Sequence, residues 1–202
     1  MRVLPTTFRG EVVNVTVQEM PFQWYDMIYR DERMYSLPAC ESLMYPVYKR
    51  VAECLGAREK VLDLGCGTGQ LSHLLNGRYA LGVDFSPVAV EKAKSLNPVG
   101  KFFLADLYKP STYELADYDC VVLCEVMEHL EHDLAVLGFI KSGMHIVFTV
   151  PNYITYSHVR GFVDEEHIRE RYEAMLDIRS ISYELMDRVE NWKVWVIDSI
   201  RR

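Results

Sequence analysis

"VLDLGCGTG" at residues 61–69 is an apolar run carrying one acid, Asp63, that closes on three alternating glycines, Gly65, Gly67 and Gly69. A short apolar run bounded by glycine reads as a buried strand. Glycines at its end let the backbone turn sharply and bring its amides close to a ligand. The following "GQLSHLL" supplies a helix for the chain to turn into. Single residues exclude two common phosphate-binding patterns. A dinucleotide turn needs a third glycine three residues after the second, where this chain has Gln70, and a P-loop needs Gly-Lys-Ser/Thr, which is absent.

Strand and helix alternate from residue 60 onward with little slack. "YALGVDF" is a second strand, and "SPVAVEKAKSL" a helix with Ser86 as N-cap and Pro87 at its first position. "GKFFLAD", "YDCVVLCEV" and "HIVFTVP" are three more strands, with a short helix in "LAVLGFIK". Near-continuous apolar strands separated by helices imply a parallel sheet covered on both faces. "DEEHIRERYEAM" is a further helix with acids in its first turn, and "DIRSISYEL" and "WKVWVIDSI" alternate at period two around "MDRVEN", which predicts an antiparallel hairpin added to that sheet.

Upstream, "VLPTTFRGEVVNVTVQ" reads as two short strands around Arg9-Gly10, available to pair at a sheet edge. Residues 21–55 are rich in tyrosine and mostly helical, with breaks expected at Pro38 and Pro46. That segment reads either as a helical layer on the sheet or as a wall of rings around a pocket. The expectation is one domain over residues 1–202, with a hairpin and an aromatic lid in 1–58 and a binding core in 59–202.

Three later strands each end in a polar residue, at the edge where open α/β sheets bind ligands. Asp84 in "GVDFS" lies 21 residues beyond Asp63, where a carboxylate can accept both hydroxyls of a ribose, and Phe85 beside it can cover an adenine. Asp106 in "LADL" can accept the adenine amine, and Glu125 closes "LCEV".

Taken together, "VLDLGCGTG", "GVDFS", "FLADL", "YDCVVLCEVMEHL" and "IVFTVPN" resemble, in order and spacing, the motifs of the class I S-adenosylmethionine-dependent methyltransferases. The resemblance covers residues 60–152, and the terminal hairpin extends it to a Rossmann-like seven-stranded sheet. It implies S-adenosylmethionine as cofactor. The loop Gly65, Cys66, Gly67 and Gly69 would support its methionine part, with Asp63 orienting the ammonium. Asp84 would hold the ribose, Phe85, Asp106 and the backbone of Leu107 would meet the adenine, and Cys124 and Glu125 would face the sulfonium.

The stretch "LCEVMEHLEHD", residues 123–133, has three readings. Glu125, Glu128 and His129 resemble the metal-binding Glu-x-x-Glu-His of the small-RNA 3′-terminal 2′-O-methyltransferases, with His158 or His167 downstream, although the wider segment does not match. Alternatively His129 or His158 serves as general base, since "VPNYITYSHVRGFVDEEHIRE" is similar to the corresponding segment of small-molecule O-methyltransferases, including the ubiquinone-biosynthesis type. In the third reading Glu128 and His129 tie the loop to the sheet, while Glu131, His132 and Asp133 form a solvated helix start. No Asn/Asp-Pro-Pro-Tyr/Phe run follows the fourth strand, as base-amine methylation would require. The expectation is transfer to oxygen of a small molecule, with no metal; a metal-assisted RNA 2′-O-methyltransferase and a catalytically silent binding scaffold are the alternatives.

Composition narrows the partners. Half of the 202 residues are hydrophobic, and 29 acids against 22 Lys and Arg give a net charge of −7, which does not favour a nucleic-acid backbone. Five cysteines without CxxC spacing point to a reducing compartment, and no secretory or membrane-length apolar run is seen, so a cytoplasmic location is expected.

Overall fold

The computed structural model describes residues 2–8, 11–57, 60–75, 81–187 and 191–202. The expected Arg9-Gly10 turn, the first two residues of "YALGVDF", the boundary at residues 58–59 and residues 188–190 of the "MDRVEN" turn lie outside the described residues.

The first glycine turn connects β3 (Val61–Leu64) to α3 (Gln70–Leu75). β4 (Leu81–Asp84), α4 (Pro87–Leu96), β5 (Phe102–Leu104), β6 (Cys120–Leu123), α5 (Asp133–Phe139), β7 (His145–Pro151) and α6 (Glu165–Tyr172) follow. β8 (Leu176–Asp187) and β9 (Trp192–Arg201) complete a seven-stranded sheet of order β5-β4-β3-β6-β7-β9-β8. The first five of these strands in spatial order are parallel. β9 runs antiparallel between β7 and β8, so the terminal hairpin enters the sheet with its second strand innermost.

Alternation of side chains builds a core on each face. Leu62, Leu64, Val121, Leu123 and Phe148 pack with Val136, Leu137, Ile168 and Tyr172 of α5 and α6. Val61, Cys120, Val122 and Val147 pack on the other face with Leu71 and Leu75 of α3 and with α2 (Tyr45–Leu55), through Val47, Val51 and Leu55. Every side chain of β3, β4 and β6 is buried, the pattern of a sheet covered on both sides. The chain leaves β3 toward β4 on one side and returns to β6 on the other. That reversal opens a crevice at the carboxyl ends of β3 and β6.

The aromatic segment divides between the two roles expected for it. α2 is the layer on the sheet. α1 (Phe22–Asp31) has no fully buried residue and lies over the crevice instead. Pro46 does not break a helix: it occupies the first turn of α2, where its missing N–H costs nothing. β1 (Arg2–Phe8) and β2 (Glu11–Val17) form a separate two-stranded sheet rather than an edge of the main one. It is tied to the loop after β7 by Gln18 N–H to Tyr156 O at 3.4 Å and by Ile154 N–H to Thr6 Oγ1 at 3.2 Å.

Candidate functional site

The glycine turn is shaped by contacts that a side chain would destroy. Gly65 has φ 73°, and a Cβ there would lie 2.6 Å from Val126 Cγ2. Gly67 has φ 52° and faces the hydroxyl of Tyr29 from α1. Its amide donates to Asp84 Oδ2 at 2.9 Å, and the amides of Gly65 and Cys66 donate to Val83 O. The Cys66 side chain packs under the turn with Val90, Ala93 and Phe102.

Two adjoining cavities occupy the crevice. One, of about 550 Å³, is lined by Asp84, Phe85, Asp106, Leu107 and Tyr108. The other, of about 390 Å³, is lined by Asp63, Gly67, Tyr35, Tyr48, Tyr153 and His158. Tyr25, Tyr29, Gly65, Glu125 and His129 line both and form the partition. Apart from Gly69, whose Cβ position faces Ala93 and Phe102, the residues expected to hold a cofactor come together around one crevice, with Asp84 and Asp106 in one cavity and Asp63 in the other.

Burial tunes the ionisable groups. Desolvation raises Asp84 to about 6, against the opposing hydrogen bonds from Ser86, Gly67 and Phe85 amides. Asp63 is also raised to about 6 by desolvation, and its Oδ2 accepts from Ser72 Oγ at 2.7 Å. Burial lifts Tyr25 and Tyr29 well above the usual phenol range, so both stay hydrogen-bond donors.

Below the partition, the six residues after β6 take shapes that the sequence does not announce. Glu125 adopts φ 56°, a left-handed conformation uncommon for a residue with a side chain. Its amide donates to Thr149 Oγ1 at 2.7 Å, and the same hydroxyl donates to Glu125 Oε1 at 2.8 Å. Burial raises this carboxyl to about 7.

Glu125 thus turns to Thr149, and the metal set of the alternative reading, Glu125, Glu128 and His129, is not the one assembled. Among the described residues, Glu128, His129 and His158 converge, with one ligand atom from each within 4.8 Å of the others. Both oxygens of the fully buried Glu128 carboxyl lack a hydrogen-bond partner. His129 Nδ1 lies 2.9 Å from Ser157 O, and His158 Nδ1 lies 3.2 Å from Tyr153 O. A carbonyl only accepts, so both Nδ1 atoms carry hydrogen and both neutral rings offer an Nε2 lone pair. His129 Nε2 is 3.6 Å from Glu128 Oε1, and the two imidazoles meet edge to face at 4.9 Å. Desolvation lowers His129 to about 4 and His158 to about 3, so both rings are neutral at neutral pH, and it pushes the Glu128 carboxyl well up.

Asp133 corrects another expectation. It starts α5 but is not solvated: it is fully buried, held by Arg171 at 2.5 Å, Arg160 at 3.2 Å and the Tyr172 hydroxyl at 2.8 Å. Arg160 also donates to Met127 O and Leu130 O and so fastens the loop that carries His129. His167 lies outside both cavities.

The family of methyltransferase domains matches residues 37–199, most of the chain and the strand-end side of the crevice, but not α1 above it. The chain belongs to that family. The ubiquinone biosynthesis O-methyltransferase of Thiobacillus denitrificans is 30% identical over 122 residues, covering 55% of this chain and 53% of the relative. The namesake from Vibrio parahaemolyticus is 26% identical over 161 residues, covering 75% and 67%. The chain spans about half the length of the first of these relatives. Among solved structures, the N-methyltransferase NodS of Bradyrhizobium japonicum, in complex with S-adenosyl-L-homocysteine, superposes with a TM-score of 0.64 at 15% identity, covering 89% of this chain and 97% of its own. Magnesium protoporphyrin IX methyltransferase of Synechocystis, with bound S-adenosylmethionine, gives 0.63 at 17% identity, covering 90% and 97%. No helix among the described residues is long and apolar enough to cross a membrane.

Several site residues of this methyltransferase domain were not visible in its sequence. Asp26 acts from a segment with no motif, Tyr29 was one of many tyrosines in a segment whose pocket-facing members no spacing singled out, and Gln70 was marked only as the residue that breaks a dinucleotide turn. Gln70 donates to Met34 O and Leu37 O and accepts from the Tyr48 hydroxyl, holding the aromatic segment to the glycine turn. Thr149 is the one hydroxyl inside the apolar run "HIVFTVP", the signal that could have singled it out.

Proposed function

We propose that this chain is a methyltransferase acting on a hydroxyl oxygen of a small, uncharged acceptor. The cofactor supplies a methyl group already activated on a sulfonium, so the protein has to align an acceptor, exclude water and take up one proton. In this reading Asp84 accepts the ribose hydroxyls, Asp106 and the Leu107 backbone meet the adenine, and Asp63 attracts the ammonium. The three glycines cradle the methionine part, consistent with a turn in which a Cβ at Gly65 would collide with Val126. The acceptor enters the second cavity among Tyr35, Tyr48 and Tyr153, and the described residues lining both cavities include no Lys or Arg. An anionic acceptor, an RNA end included, would meet carboxylates without a counter-charge.

The observation that carries the proposal is His129. It borders both cavities, and its Nδ1 hydrogen is fixed on Ser157 O, which leaves Nε2 to take the acceptor proton as the oxygen–methyl bond forms. A panel of phenols, catechols, aliphatic alcohols and matched amines tests it. Methyl ethers are the expected products. Preferential methylation of the amines would refute the oxygen assignment, and no product from any acceptor would favour the silent scaffold.

The orphaned Glu128 carboxyl favours a second reading, in which Glu128, His129 and His158 hold a divalent cation. Both histidines are already oriented by backbone carbonyls, as ligating imidazoles usually are, and oxygen with imidazole suits such ions. A bound cation would give the acceptor oxygen a Lewis-acid contact. A melting temperature that rises with Zn²⁺ or Mn²⁺, returns with chelator and stays flat in Glu128→Gln would establish it. An identical response in wild type and variant would reject it.

A further inference from the structure

We propose that Asp26 is a positioning residue: it clasps α1 to the start of α4, so that docking of the aromatic lid is coupled to the ribose site and controls cofactor release. This rests on the cofactor-site reading above.

The need for a clasp follows from the burial of α1, which buries no side chain completely and so is not fixed by a core of its own. Its polar contacts with α4 are specific. Asp26 Oδ1 accepts from Ser86 Oγ at 2.5 Å and from Val88 N–H at 3.3 Å, at the helix end where a carboxylate is favoured. One turn further along α4, the Lys92 ammonium donates to Tyr29 O and, at 2.9 Å, to Ser36 Oγ. The two contacts hold both ends of one stretch of lid.

Ser86 makes the clasp more than an anchor. Its amide donates to Asp84 Oδ1 at 2.9 Å, its hydroxyl donates to Asp26, and the same hydroxyl accepts from Ala89 N–H at 3.1 Å as the α4 cap. The acid assigned to the ribose and the acid that holds the lid therefore share one residue. On α1, Asp26 lies between Tyr25 and Tyr29, whose rings border both cavities. Tyr25 stands 5.3 Å from Phe85 and 5.8 Å from His129, ring centre to ring centre. With the clasp closed, these rings stand over the cleft between Phe85 and His129, in the path of a ligand lying there.

The test is the dissociation rate of S-adenosylhomocysteine, by stopped-flow displacement, together with its equilibrium affinity. Asp26→Ala should release the ligand about tenfold faster or more, the scale of the two hydrogen bonds lost at Oδ1. Lys92→Ala should move the rate in the same direction. Asp26→Asn keeps the Oδ1 acceptor and should stay within about threefold of wild type. The melting temperature of each ligand-free variant separates a clasp from a general loss of fold. An unchanged release rate in a folded Asp26→Ala protein overturns the proposal. So does an Asn variant as fast as the Ala variant, because the effect would then belong to charge at the helix end. If the wild type does not bind the ligand at all, the cofactor-site reading fails, and the clasp with it.

Discussion

Acidification from about pH 7.5 to about pH 5 crosses the range in which Asp63 and Asp84, both raised to about 6 by burial, change charge. Ribose hydroxyls and an ammonium bind the ionised acids better than the neutral ones, so cofactor affinity must fall as pH falls through that range. At about pH 5 roughly one in eleven copies of either group is ionised, which predicts a loss of about tenfold if one acid matters and about a hundredfold if both do. The stability of the ligand-free protein moves the other way. A carboxyl whose pKa is higher folded than unfolded carries a penalty that is fully present above the folded value. That penalty is relieved as pH drops from about 6 toward the ordinary value near 3.8, by about 3 kcal/mol per group. Calorimetric titration with S-adenosylhomocysteine across this range, for wild type, Asp63→Asn and Asp84→Asn, reads both acids. Each Asn variant should bind more weakly at neutral pH and lose its share of the slope. A wild-type affinity that is flat from about pH 7.5 to about pH 5, or a slope that survives both substitutions, would refute the assignment of these two acids.

Other substitutions have separate expectations. Thr149→Val removes both bonds to Glu125 and should cost about 1–3 kcal/mol in urea unfolding; an unchanged midpoint would mean Glu125 finds another partner. Gly65→Ala drives a methyl into Val126 and imposes positive φ on alanine, so it should weaken S-adenosylhomocysteine binding about tenfold or more. Normal binding by that variant would show that the turn can shift. Asp133→Ala leaves two arginines without their buried partner and should destabilise by about 3–5 kcal/mol in the same assay; a loss below about 1 kcal/mol would contradict the burial of that charge. Deleting residues 1–46 removes α1 with Tyr25, Asp26 and Tyr29 and should abolish turnover; full activity after that cut would show the roof is dispensable.

The parts of this structure that were legible in sequence are those written by local rules. The turn after β3 needs glycine for positive φ and close approach, and the strands of the parallel sheet must be apolar on both faces. The cap of α4 needs Ser86 and Pro87 in that order. Such requirements leave a pattern within a few residues. Asp133 was misread because its charge suggests solvent, whereas the partners that bury it, Arg160, Arg171 and Tyr172, lie 27 to 39 positions away with nothing local to announce them. The same distance hid Asp26, which meets Ser86 across 60 positions. Glu125 looked like a ligand beside Glu128 by spacing alone, but its left-handed backbone and Thr149 direct it elsewhere, and His158 takes the place from the far side of β7. Pro46 misled for the opposite reason: a proline starts a helix as readily as it ends one, and only the position of the first turn decides which.

The central claim is that His129 receives the acceptor proton in an oxygen methylation. It is tested most directly by a single-turnover experiment with methyl-deuterated S-adenosylmethionine and the best hydroxyl acceptor from the panel, read by mass spectrometry for wild type and His129→Ala, with S-adenosylhomocysteine affinity measured on both. The account predicts the label on oxygen in the wild-type product, and a variant that binds the cofactor product normally yet transfers about a hundredfold more slowly or worse. Transfer by His129→Ala at the wild-type rate, or label on nitrogen when both atoms are offered, would contradict it.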